Sequence, residues 1–119
     1  LAVIAGSYLS RRGLLKGRHA RDMKSLYRDF DFGGSVGFED FTTAMRVIGK
    51  SYRVDANKLL PGDSFKELAK SDSWSLDEGA EMLQDFAQKQ GRVEGLERVE
   101  TVRDYVLLVF EAASKNSLQ

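Results

Sequence analysis

Phe38-Glu-Asp-Phe-Thr-Thr-Ala-Met-Arg-Val-Ile-Gly-Lys-Ser-Tyr52 is the stretch that decides the fold class. Its apolar residues Phe41, Ala44, Met45, Ile48 and Tyr52 recur every three or four positions, which places them on one face of an α-helix. Toward the N-terminus, Gly33, Gly34 and Gly37 break the chain. Before them, Ala20, Met23, Leu26, Tyr27 and Phe30 repeat the helical spacing, predicting a helix over 18–30. Toward the C-terminus, Leu60-Pro61-Gly62 reads as a turn. Asp63 is placed to cap a short helix that buries Phe65 and Leu68. Ser75-Leu-Asp-Glu78 has the form of a capping box. It predicts a helix with Leu76, Ala80, Leu83, Phe86 and Ala87 inward, stopped by Gly91. Thr101-Val-Arg-Asp104 opens a last helix that turns Val102, Tyr105, Val106, Val109 and Ala112 inward. The β-branched run from Val106 to Phe110 also fits a strand, but the Thr cap and Glu111-Ala-Ala favour helix. The expectation is an all-α fold, a small four- to five-helix bundle with no sheet beyond an isolated bridge. Its core should include Met45, Ile48, Leu59, Phe65, Leu83, Val102 and Val106.

Composition agrees with a single globular domain. In 119 residues, 42% are hydrophobic and 30% charged, with no cysteine, which excludes disulfides, zinc–thiolate sites and a cysteine nucleophile. The net charge is zero, yet the charges are segregated. Residues 1–28 carry seven Lys/Arg against Asp22 alone, and the remainder carries eleven bases against seventeen acids. A basic head and an acidic body call for different partners. The chain divides into an apolar and basic segment, 1–17, and a helical domain, 18–119. The apolar run Leu1–Leu9 is too short to span a bilayer, which takes about 20 residues. It is followed at once by Arg11 and Arg12, the order found at a membrane boundary. If residues 1–9 are the end of a membrane helix, Arg11, Arg12, Lys16 and Arg18 would meet anionic headgroups. The domain would then be tethered at the cytoplasmic face. Otherwise the segment is a short stretch docked on a cytoplasmic domain.

From Val54 onward the spacings become more specific. Leu59, Phe65, Asp72-Ser73-Trp74 and Thr101-Val102 follow the helix ending near Val54 in a fixed register. This pattern resembles that of the acyl carrier proteins: a first helix, a long loop pinned by apolar anchors, an Asp-Ser-Leu site, a second helix, and a last helix opened by Thr-Val. The likeness runs without gaps from Ala44 to about Phe110. It implies a 4′-phosphopantetheine arm on Ser73, carrying an acyl group as a thioester. It also implies a partner with a basic docking surface, received by Asp72, Trp74, Asp77, Glu78, Glu81 and Asp85. The sequence departs from the family in three places. Trp74 stands where the family has Leu, the capping box puts Ser73 two residues ahead of the Ser75 cap, and the apolar phase of the following helix is shifted by one residue. A carrier-like bundle without its arm, working as a non-catalytic interaction module, fits the same departures.

A second resemblance lies upstream. Asp29-Phe-Asp-Phe-Gly-Gly-Ser-Val-Gly-Phe-Glu-Asp40 is similar to an EF-hand loop, with Asp29, Asp31 and Asp40 as carboxylates, Gly34 at the sharp turn and Val36 as the apolar bridge. Calcium takes six to eight oxygens. Here Gly33 occupies the fifth position, the closing acid is Asp rather than Glu, and no second loop is available to pair. The expectation is therefore no metal, with Phe30 and Phe32 filling the core beneath the glycine turn.

His19, the only histidine, has no nucleophile placed beside it, and no phosphate-binding glycine motif or metal motif occurs. No enzymatic activity is expected. The basic head is short and the acidic body opposes a polyanion, so no nucleic-acid partner is expected either.

Overall fold

The stretch Phe38–Tyr52 is helical over its whole length in the computed structural model, which describes Leu15, residues 17–70 and residues 78–111. It is the second of five α-helices among the described residues: α1 (Met23–Phe30), α2 (Phe38–Tyr52), α3 (Phe65–Lys70), α4 (Glu78–Lys89) and α5 (Val102–Phe110). Short 3₁₀ turns lie at Ala56–Lys58 and Leu96–Arg98. The one β pairing among these residues is an antiparallel bridge between Ser64 and Thr101. The fold is an all-α bundle.

α2 is its hub, and α1, α4 and α5 all pack against it. Phe41, Ala44, Met45 and Ile48 are completely buried. Each large side chain withdrawn from water in this way stabilises the fold by about 1.5–3 kcal/mol. α4 comes so close that a Cβ on Gly79 would sit 2.5 Å from the Tyr52 ring. At the other end of α2, Tyr27, Phe30, Phe32, Phe38 and Phe41 form an aromatic cluster. Its tightest pair, Phe30 and Phe41, has ring centroids 4.9 Å apart in an edge-to-face arrangement, a favoured geometry for rings of opposed edge and face charge. Phe30 and Phe32 fill the core as expected.

The last helix also follows its sequence. Thr101 Oγ1 accepts from the Asp104 N–H at 3.2 Å, and Asp104 Oδ2 accepts from the Thr101 N–H at 3.1 Å. This reciprocal cap satisfies donors that a helix start leaves open. Val106–Phe110 is therefore helix, not strand.

Four expectations need correction. The first helix begins at Met23, not Arg18, because Asp22 accepts from the Ser25 N–H at 2.7 Å and ends the extended segment before it. Ala20 is exposed in consequence. Asp63 does not cap α3. Ser64 Oγ does so, accepting from the Glu67 N–H at 3.1 Å. Phe65 is only partly buried, although Met45, Ile48, Leu59, Leu83, Val102 and Val106 are core. In α4 the buried face runs through Gly79, Leu83 and Ala87, with Ala80 exposed. Leu76, most of the capping box around Ser75, and Ala112 lie outside the described residues.

Candidate functional site

α4 holds three of the acids that the carrier resemblance assigns to a partner, Glu78, Glu81 and Asp85. Glu78 meets Arg53 at 3.3 Å, and Asp85 meets Lys89 at 3.1 Å, one helical turn away. All four side chains are more than one-third exposed, so each pair is worth roughly 0–1 kcal/mol and exchanges readily for an outside base. Glu81 is exposed and forms no ion pair among the described residues. Lys50 and Lys89 stand with Glu81 and Asp85 around a shallow depression whose floor is Val47, Met82 and Phe86. The face is thus mixed in sign, not purely acidic. Asp72, Ser73, Trp74 and Asp77 lie outside the described residues.

The other side of α4 borders a second hollow. Tyr52 from α2, Phe65 from α3, Leu83 from α4, Leu96 and Val99 from the turn before α5, and Tyr105 from α5 line a groove of about 480 Å³. Tyr52 and Phe65 stack with centroids 5.8 Å apart, and Phe65 meets Tyr105 edge-on at 5.9 Å. The Tyr105 hydroxyl is committed elsewhere, donating to the Leu83 carbonyl at 2.7 Å. Burial, with a smaller contribution from nearby Tyr52, pushes its phenol well above the ordinary range. Besides the two tyrosines, the lining includes the polar side chains Gln84 and Glu97, both exposed. A lining of this kind offers aromatic and aliphatic surface and few hydrogen-bonding groups, which suits an apolar ligand. Its volume falls within the roughly 300–1,000 Å³ common among small-ligand sites.

In the sequence Tyr52 and Tyr105 fall on inward helix faces, and Val93–Val99 carries no assigned element. The available signal was the apolar spacing Val93, Leu96, Val99 outside any helix. Val93 is the one large hydrophobic among the described residues that is strongly exposed.

The glycine loop joins α1 to α2. Gly33 and Gly34 have φ of +62° and +88°, conformations that a Cβ disfavours, and Val36 is buried. The acids, however, do not converge. Asp29 pairs with Arg21, Asp31 and Asp40 are exposed, and no group of three or more His, Asp or Glu side chains among the described residues is placed to hold a metal. A cation from within the chain serves this corner instead. Arg103 Nε donates to the Phe30 carbonyl at 2.7 Å and Nη2 to the Asp31 carbonyl at 3.0 Å. Its guanidinium also lies 5.4 Å from the Phe32 ring centre. Carbonyls at a helix C-terminus carry partial negative charge, so a guanidinium is favoured there.

In the basic head, Arg18 is turned inward. Nη1 and Nη2 bond the Asp63 carboxylate at 2.7 and 2.9 Å, and Nη1 also reaches the Lys58 carbonyl at 3.0 Å. That hydrogen bond to Asp63 is the main reason the Arg18 pKa is raised further. Arg18 is thus bound to the fold and remains partly exposed. His19 is exposed. Arg11, Arg12 and Lys16 lie outside the described residues, as does the apolar run 1–9. Among the described residues no helix is long and apolar enough to cross a membrane. Compared with known proteins, the chain matches no family model, no curated protein and no solved structure.

Proposed function

We propose that this domain is a non-catalytic carrier-like module. In this reading Ser73 bears a 4′-phosphopantetheine arm, and an apolar group on the arm's thiol shelters in the groove beside α4. The observation that carries the reading is the groove itself, whose aromatic and aliphatic walls come from four helices and the Leu96–Arg98 turn. Glu78, Glu81 and Asp85 on the outer side of α4 receive a basic partner, and tethering keeps the cargo at high effective concentration near it. Co-expression with a phosphopantetheinyl transferase, followed by intact mass measurement, tests this. The wild type should gain the mass of one phosphopantetheine and Ser73→Ala should gain none. Failure of an active transferase to modify the wild type would sink the carrier reading.

A second reading, an interaction module without an arm, draws on the depression over Val47, Met82 and Phe86. An apolar floor inside a charged rim is the anatomy of a protein contact. In either reading, membrane tethering would draw on the apolar run 1–9 and the bases Arg11 and Arg12 that follow it, and the native protein should then fractionate with membranes; recovery of the native protein free of membranes would leave the segment as a stretch docked on the domain.

A further inference from the structure

Residues 18–22 form five hydrogen bonds to the loop between α2 and α3, and these bonds have no part in the groove's own lining. Besides the three from Arg18, the Arg21 N–H donates to the Asn57 carbonyl at 3.0 Å, and Asn57 Nδ2 donates to the Arg21 carbonyl at 2.7 Å. The segment lies along the loop as a strap.

Asp63 is where the strap meets the rest of the fold. Its side chain is buried, held by Arg18 and by the Leu60 N–H at 2.8 Å. Its carbonyl accepts from the Val102 N–H at 2.9 Å, at the start of α5. Two residues on, the Phe65 N–H donates to the Glu100 carbonyl at 2.9 Å, and Phe65 is the groove wall that touches both Tyr52 and Tyr105. A buried carboxylate that loses its guanidinium retains a charge that the interior disfavours. Asp63 would therefore move toward water, taking the Pro61–Phe65 segment with it.

We infer that residues 18–22 are a conformational strap that sets the position of Phe65 through Arg18 and Asp63, so that the shape of the groove depends on how the N-terminal segment is seated. Arg18 is a positioning residue, acting on the groove without touching it. The part concerning ligand rests on the groove being a binding site; the mechanical part does not. A pull or a competing contact on the chain just before Arg18 would open the groove's Phe65 wall.

The test uses the full chain with Arg18→Gln and reads two quantities. Amide hydrogen exchange followed residue by residue should show the Phe65 and Val102 amides exchanging about tenfold faster or more, while the α4 amides stay near wild type. Binding of a free octanoyl thioester, N-acetylcysteamine-linked, should weaken by about fivefold or more, in the range of ordinary coupling between sites. Should Arg18→Gln fail to fold, Asn57→Ala removes one strap bond only and is read in the same way with a smaller expected change. Unchanged Phe65 and Val102 exchange in a folded variant would overturn the strap. A wild type that binds no thioester would overturn the groove as a binding site, and the exchange result would still decide the strap.

Discussion

Replacing Tyr105 by Phe separates two properties of one buried hydroxyl. At neutral pH the change removes the 2.7 Å bond to the Leu83 carbonyl, a net contribution of about 1 kcal/mol for a neutral pair. That carbonyl belongs to the interior of α4 and retains its backbone partner, so no larger penalty follows. At alkaline pH the comparison changes sign. The phenol's pKa is raised in the folded state above its ordinary value of 10.0, so the folded state favours the protonated form. Its stabilising contribution is full below pH 10 and declines as the unfolded-state phenol ionises above it. At pH 11 the wild type should have lost about 1.4 kcal/mol through this group, the equivalent of one pH unit past the unfolded pKa. Tyr105→Phe loses nothing through it. Urea unfolding of both proteins at pH 7, 9, 10 and 11 isolates the effect, because every other titrating group cancels in the difference. The variant should be less stable by about 1 kcal/mol at pH 7 and equal or more stable at pH 11. A difference that stays constant with pH would refute the assignment of a desolvated phenol at this position.

Other substitutions probe the packing and the caps. Gly79→Ala drives a methyl into the Tyr52 ring and should destabilise by about 1–3 kcal/mol in thermal or urea unfolding, the usual penalty for overpacking. Thr101→Ala removes the hydroxyl of the α5 capping box and should cost about 1 kcal/mol, with loss of protection at the Asp104 amide. Calorimetric titration with calcium should show no saturable heat, since Asp29, Asp31 and Asp40 do not converge. Binding abolished by Asp29→Ala would restore the EF-hand reading.

Much of the secondary structure was legible because its causes are local. The period of Phe41, Ala44, Met45, Ile48 and Tyr52 marked the body of α2, and Thr101 with Asp104 fixed the start of α5 within a single turn of chain. Where local signals competed, tertiary contacts decided. Ala20 and Arg18 fit a helical stripe, but residues 18–21 bond to Asn57, Lys58 and Asp63 instead. Asp63 looks like a helix cap, yet its carboxylate answers a guanidinium 45 positions away. Arg103 is unremarkable in sequence and closes the end of α1 from 73 positions further along. The groove was invisible for the same reason. Its walls come from Tyr52, Phe65, Leu83, Leu96, Val99 and Tyr105, each of which reads separately as core or connection. Periodicity and capping act over a few residues and are written in the sequence of this chain. The meeting of Arg18 with Asp63, of Arg103 with α1, and of three aromatic rings around one hollow depends on how α1, α2, α3 and α5 pack, and only the tertiary structure decided it.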